Sequence, residues 1–163
     1  MIREFHHDDI DQVVGLLAIL HLRTPYRCVK PDWPEVVQLI AGASSRRGGK
    51  VLVAEHDGKI TGVLIAVAQT LWWQNAGTGA RVVSDLIFFS QRVGDGRRML
   101  KQMIAWAFTV PRVVRVECGI SSGQDVQRLE QLYVDCGLVR EGTSFVVNHP
   151  KYEAALRGER VAA

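Results

Sequence analysis

The chain has 163 residues, the length of about one domain. Hydrophobic residues make up 47% and charged residues 23%, which excludes a disordered tail, a collagen-like repeat and a disulfide-stapled miniprotein. Twenty Lys and Arg against 17 Asp and Glu leave a net charge of +3, too weak to point to nucleic acid but compatible with a phosphate-bearing small ligand.

The longest aliphatic run, Val63 to Ala68, is far short of the ~20 residues that span a bilayer. Met1-Ile2-Arg3-Glu4-Phe5 lacks the basic-then-apolar pattern of a signal peptide. A cytoplasmic protein with no membrane partner is expected. Cys28, Cys118 and Cys136 fit no metal or CxxC spacing. They are expected to be reduced, partly buried thiols, and no metal is expected.

In chain order, Met1 to His7 reads as a short strand. Asp8 or Asp9 can cap a helix with apolar positions Ile10, Val13, Val14, Leu17 and Leu20, a helical spacing. Thr24 to Pro34 holds three prolines and reads as a loop; Pro34 then suits the first turn of a helix over Glu35 to Ala43. Lys50 to Glu55 and Ile60 to Gln69 are strands around Asp57-Gly58, a strong hairpin signal. Leu71 to Ala80 is a loop that begins with Trp72-Trp73. Arg81 to Phe89 is a long strand. Met99, Leu100, Met103, Ile104, Ala107 and Phe108 then mark one face of a helix ended by Pro111. Val113 to Ile120 is a strand. A helix over Asp125 to Cys136 carries Val126, Leu129, Leu132 and Tyr133 on one side, with Gly137 as its cap. Thr143 to Asn148 is a last strand, and Lys151 to Ala163 a charged tail. This order predicts a mixed α/β (α+β) fold with helices packed on the sheet.

Gln91-Arg92-Val93-Gly94-Asp95-Gly96 lies between a strand and a basic-faced helix. Glycines let the backbone approach a ligand, and a helix N-terminus adds free N–H donors with a partial positive charge. Such a loop can cradle a phosphate or pyrophosphate; the bland alternative is a tight connection with surface arginines. A P-loop is excluded because no Gly-Lys-Ser/Thr is present. A dinucleotide fingerprint is disfavoured because Met99 stands at the third glycine.

On these residues the chain resembles the GNAT superfamily of acyl-CoA-dependent N-acyltransferases. Their Gln/Arg-x-x-Gly-x-Gly/Ala signature is matched by Gln91 to Gly96, and Leu132-Tyr133-Val134-Asp135-Cys136-Gly137-Leu138 is similar to their Leu-Tyr-x-x-x-Gly-Phe segment, with Leu138 for Phe. The resemblance is specific from about Asp85 to Phe145. It implies a single domain with a central, mostly antiparallel sheet of about six or seven strands flanked by about four helices.

The resemblance also implies a chemistry. Gln91, Arg92, Val93, Gly94, Asp95, Gly96 and Arg97 would hold the pyrophosphate of acetyl-CoA, the acyl donor. Leu86, Ile87, Phe88 and Phe89 would pair with its pantetheine arm, where a backbone N–H polarises the carbonyl. A neutral amine would attack directly, and Tyr133 would protonate the departing thiolate; by spacing alone, Tyr133 is equally a core aromatic. Ser122 occupies the turn where the family often has an asparagine near the CoA. Asp95 is unfavourable beside a phosphate unless its side chain turns outward to cap the helix.

The general base stays open between Glu117 and Asp85, with Glu55 a weaker third. Glu117 lies on the strand face opposite Val116 and Cys118. Tyr26 and Trp33 lie in the loop where the family often binds its acceptor, an amine-bearing small molecule or peptide. Trp72 and Trp73 are read as acceptor lining, a homodimer contact or a cap on the core. His6, His7 and His21 read as surface or helix-end residues. Two further readings compete with the enzyme: a non-catalytic acyl-CoA- or protein-binding module, and, last, a nucleic-acid binder.

Overall fold

The computed structural model describes residues 1–120 and 125–141. Strands β1 (Ile2–Glu4), β2 (Gly49–His56), β3 (Lys59–Thr70), β4 (Arg81–Ser90) and β5 (Val113–Glu117) form one sheet in the order β1-β2-β3-β4-β5. The first three pairings are antiparallel and β4–β5 is parallel. Helices α1 (Ile10–His21), α2 (Trp33–Ser45), α3 (Asp95–Ala107) and α4 (Val126–Asp135) complete it. The mixed, mostly antiparallel sheet and its four helices are as expected. The count of six or seven strands is corrected to five among the described residues. The expected strand Thr143–Asn148 and the charged tail lie outside them.

Alternation along β3 explains the layering. Val63, Ile65 and Val67 face one way, with Val13, Leu17 and Ile40 of α1 and α2. Leu64 and Ala66 face the other, with Met99, Leu100, Met103 and Tyr133 of α3 and α4. A strand covered on both faces reads as a continuous apolar run, as Gly62 to Val67 does. Truncating a fully buried side chain such as Leu64 to Ala costs about 2–5 kcal/mol.

The element ends follow local chemistry. Asp57 (φ 51°) and Gly58 (φ 75°) turn the β2–β3 hairpin, and the two positive φ values match a type I′ turn. Asp32 Oδ1 accepts from the Glu35 N–H (3.2 Å) and starts α2 two residues earlier than expected. Gly137 (φ 91°) ends α4: its N–H reaches the Val134 carbonyl and the Leu138 N–H reaches that of Tyr133.

Asp9 departs from the expected role. It stands at the start of α1 but makes no side-chain cap. Its carboxylate instead takes two guanidinium bonds from Arg3 (2.7 and 2.8 Å) and the His6 N–H (2.8 Å). Arg3 holds it below the usual carboxylate range, because bidentate bonds from a guanidinium favour the charged carboxylate. Phe108 also departs. It lies past the last buried turn of α3 and is exposed.

Candidate active site

The sheet forks between β4 and β5. Their parallel register runs from Arg81–Val113 to Ser84–Glu117 and stops there. β4 continues to Ser90 on its β3 side, so its other edge from Asp85 onward has no strand partner among the described residues. The expected extension of β5 to Ile120 is therefore cut at Glu117. Side chains satisfy the backbone beyond the fork: the Gly119 N–H donates to Asp85 Oδ1 (3.1 Å), and the Tyr133 hydroxyl donates to the Gly119 carbonyl (3.1 Å).

A β-bulge decides which way Asp85 faces. Ile87 pairs with Ile65, but Ala66 pairs with Asp85, which leaves Leu86 as the extra residue. Strict alternation would put Asp85 on the face of Ile87 and Phe89, toward α1 and α2. The one-residue shift turns it to the opposite face, the face of Phe88, Cys118 and Tyr133.

A cleft of about 540 Å³ passes through the fork. On one side it is walled by Leu17, Leu20, Tyr26, Trp33 and Val36. On the other it is walled by Leu129 and Tyr133, with Asp85 to Phe88 and Gly119 between. Asp85, Tyr133, Tyr26, Trp33, Leu86, Ile87 and Phe88 are thus brought together.

The electrostatics of the cluster follow from burial. Desolvation pushes the Asp85 carboxyl up; the Gly119 N–H and the Cys118 thiol, as donors to it, partly offset the rise. Tyr133 is pushed above the usual phenol range by burial and then by the negative charge of Asp85. It stays protonated and can donate. Burial also raises the Cys118 thiol, followed by the same charge, which keeps it from being a nucleophile.

The Gln91–Gly96 loop leaves β4 with the Gln91 N–H still bonded to the Thr61 carbonyl (2.8 Å). Gly94 adopts φ 89° at the start of α3, and no side chain caps that helix. Its first-turn N–H groups lack intrahelical partners by geometry, and Arg92, Arg97 and Arg98 stand exposed around them. At Gly96 a Cβ would lie 3.0 Å from Phe88 Cζ and 3.5 Å from Leu132 Cδ2, so glycine is what lets α3 approach β4 this closely.

Asp95 does not turn outward to cap the helix. Its side chain is 1% exposed and meets His56 Nε2 at 2.8 Å, with Arg98 Nη2 at 3.7 Å. The carboxylate is thereby removed from the open face of the loop, and the expected conflict with an anion is resolved. His56→Ala would leave a buried carboxylate short of its main partner. It is expected to lower unfolding stability by about 1–3 kcal/mol. Chemical denaturation of His56→Ala, Asp95→Ala and the double variant checks this; purely additive losses would show that the pair contributes nothing.

Other sequence candidates fall elsewhere. Glu117 faces away from Val116 and Cys118, as expected, but it is exposed, paired with Arg115 (3.0 Å) and outside the cleft lining. Glu55 bonds Arg3 (2.6 Å) at the β1 end of the sheet. Trp72 and Trp73 pack edge-on against each other, 88% and 61% exposed, and neither lines the cleft nor caps the core. Both lie in the loop between β3 and β4. Phe89 packs with the α1–α2 core rather than in the cleft. Ser122 lies outside the described residues. Cys28 is exposed, not partly buried.

His21 ends α1, in keeping with a helix-end residue; sequence reasoning missed that it also lines the cleft, for which its place between Leu20 and Leu22 was a weak signal. It also missed Cys118 and Gly119, for which the glycine after an alternating strand was the available sign. Among the described residues, no group of three His, Cys, Asp or Glu side chains could hold a metal ion, and no helix is long and apolar enough to cross a membrane.

A forked mixed sheet, a glycine-bearing helix start beside the fork and a cleft through it define the architecture around this site. No family model and no curated protein matches the sequence. Solved structures do match. A ribosomal-protein-alanine N-acetyltransferase from Brucella melitensis biovar Abortus has a TM-score of 0.63 at 16% identity, over 91% of this chain and 99% of that one. An aminoglycoside antibiotic 6'-N-acetyltransferase from Acinetobacter haemolyticus gives 0.66 at 12%, over 91% and 97%. AAC(6')-Iy in complex with a CoA-containing bisubstrate analog gives 0.67 at 15%, over 91% and 97%. The chain has the fold of the GNAT acetyltransferases.

Proposed function

We propose that this protein is an N-acetyltransferase that moves an acetyl group from acetyl-CoA to a primary amine by direct attack. The observation that carries the reading is the arrangement at the fork: Asp85 and Tyr133 both bonded to Gly119, both lining one cleft. Asp85 is the base for the amine proton, directly or through water, and a carboxyl raised by burial is better matched to that task than an ordinary one. Tyr133, held protonated, is the acid for the leaving sulfur. Glu117 is set aside because it is outside the cleft.

The residues present fit the donor. The free edge of β4 from Asp85 to Phe89 suits backbone pairing with the pantetheine arm. Asp95 is turned away, so the N–H groups at the start of α3 and Arg92 and Arg97 are left to take the pyrophosphate. Acetyl-CoA supplies the activated acetyl group; no metal is needed. A solved neighbour bound to a CoA-containing analog supports this donor.

Isothermal titration with acetyl-CoA and with CoA tests the reading. Saturable binding is expected. Gly94→Asn, neutral and tolerant of the left-handed backbone, should bind nearly as well. Gly94→Glu should bind about tenfold or more weakly, because it sets a carboxylate against the pyrophosphate. No binding by folded protein would overturn the reading and favour a partner-binding module.

A further inference from the structure

The cleft has two unlike walls. The fork wall carries Asp85, Tyr133 and the backbone of Gly119. The wall from α1, α2 and the loop between them is made of Leu17, Leu20, Tyr26, Pro31, Trp33 and Val36, joined by His21 and Thr24. No Asp, Glu, Lys or Arg of that wall lines the cleft among the described residues. We propose that the acceptor is a monoamine carried on an uncharged apolar body, an alkyl- or arylalkylamine, and not a polyamine or an aminoglycoside. This rests on the acetyl-transfer reading and names its substrate class.

Charge accounting carries the argument. The only carboxylate in the described lining is Asp85, and it sits at the fork, where the reacting amine must lie. It already accepts from the Gly119 N–H. A second ammonium on the acceptor would rest against the apolar wall with no counter-charge among the described residues, and desolvation without a partner is strongly unfavourable. The nearest acids on that loop are turned elsewhere. Asp32 caps α2 through the Glu35 N–H, both residues are exposed, and neither lines the cleft.

An apolar body gains what a polycation loses. Trp33 and Val36 are partly buried against the α1–α2 core, so they form a firm surface for an alkyl chain or a ring. His21 adds a polar handle. The Nε2 of His21 is buried and has no hydrogen-bond partner. It can pair with a single polar group on the acceptor, such as a hydroxyl.

Two measurements on the full chain test this. The first is steady-state acetylation of 2-phenylethylamine, spermidine and kanamycin at saturating acetyl-CoA. The kcat/KM for phenylethylamine is expected to exceed the other two by about tenfold or more. Val36→Glu, which sets an acid in the apolar wall, should narrow or reverse the ratio to spermidine while the Kd for acetyl-CoA stays unchanged. Equal or better use of spermidine or kanamycin by the wild type overturns the proposal. The second is calorimetric binding of phenylethylamine to the CoA-loaded protein, which needs no turnover. Binding that is weakened by Trp33→Ala supports the apolar site even if acetyl transfer fails; absence of binding in protein that holds CoA overturns it. Loss of CoA binding itself removes the transfer reading instead.

Discussion

Tyr133→Phe is expected to lower kcat about a hundredfold while the Kd for acetyl-CoA changes little. The phenol is 8% exposed and packs beside Phe88, ring centroids 6.4 Å apart. Phenylalanine keeps that packing and removes only the hydroxyl. The lost hydroxyl donates to the Gly119 carbonyl at 3.1 Å, so stability should fall by only about 1 kcal/mol. Burial and the Asp85 charge hold the phenol above its usual range. Tyr133 therefore contributes no alkaline limb to the rate profile below about pH 10. Pre-steady-state and binding measurements together decide the role. If binding and kcat fall in parallel, the hydroxyl holds the fork together and is not the acid.

The second large effect is expected at Asp85. Asp85→Asn keeps the shape and can still accept the Gly119 N–H, but it cannot take a proton. The kcat/KM should drop by about a hundredfold or more, and the acid limb of its pH profile should vanish. In the wild type that limb should lie above the ordinary aspartate value of about 3.9, because burial raises the carboxyl. Stability should move the other way. A carboxyl raised on folding favours the folded state fully only below its unfolded pKa, and the benefit is lost as pH rises through the raised value. At neutral pH the buried Asp85 charge therefore works against folding. Asp85→Asn is expected to melt higher than wild type near about pH 7, with the difference shrinking below about pH 4. A variant less active and less stable at both pH values would make Asp85 a structural brace and not a base.

These two residues stood out in the sequence for unlike reasons. Tyr133 was placed by helical spacing and by its Leu-Tyr-x-x-x-Gly context, and both survive in α4 with its Gly137 end. Asp85 was one of three strand carboxylates, with Glu117 and the weaker Glu55. Nothing local singles it out over Glu117, since each sits within a strand. Which of them lines the cleft is decided by two breaks in pairing: the bulge at Leu86 and the end of the β4–β5 ladder at Ser84–Glu117.

The helix faces, the Asp57-Gly58 hairpin and the glycine-bearing start of α3 are legible in the residues alone. Each rests on interactions within a few residues, or on a period that one segment carries alone. Tertiary structure decided which side chains meet. Asp95 finds His56 39 residues away; Asp85 and Tyr133 share Gly119 from different elements. His21 joins a cleft whose far wall comes from the other face of the sheet. Alternation fixes only relative facing along one strand. Register between strands fixes the absolute direction, and a single extra residue, Leu86, reverses it.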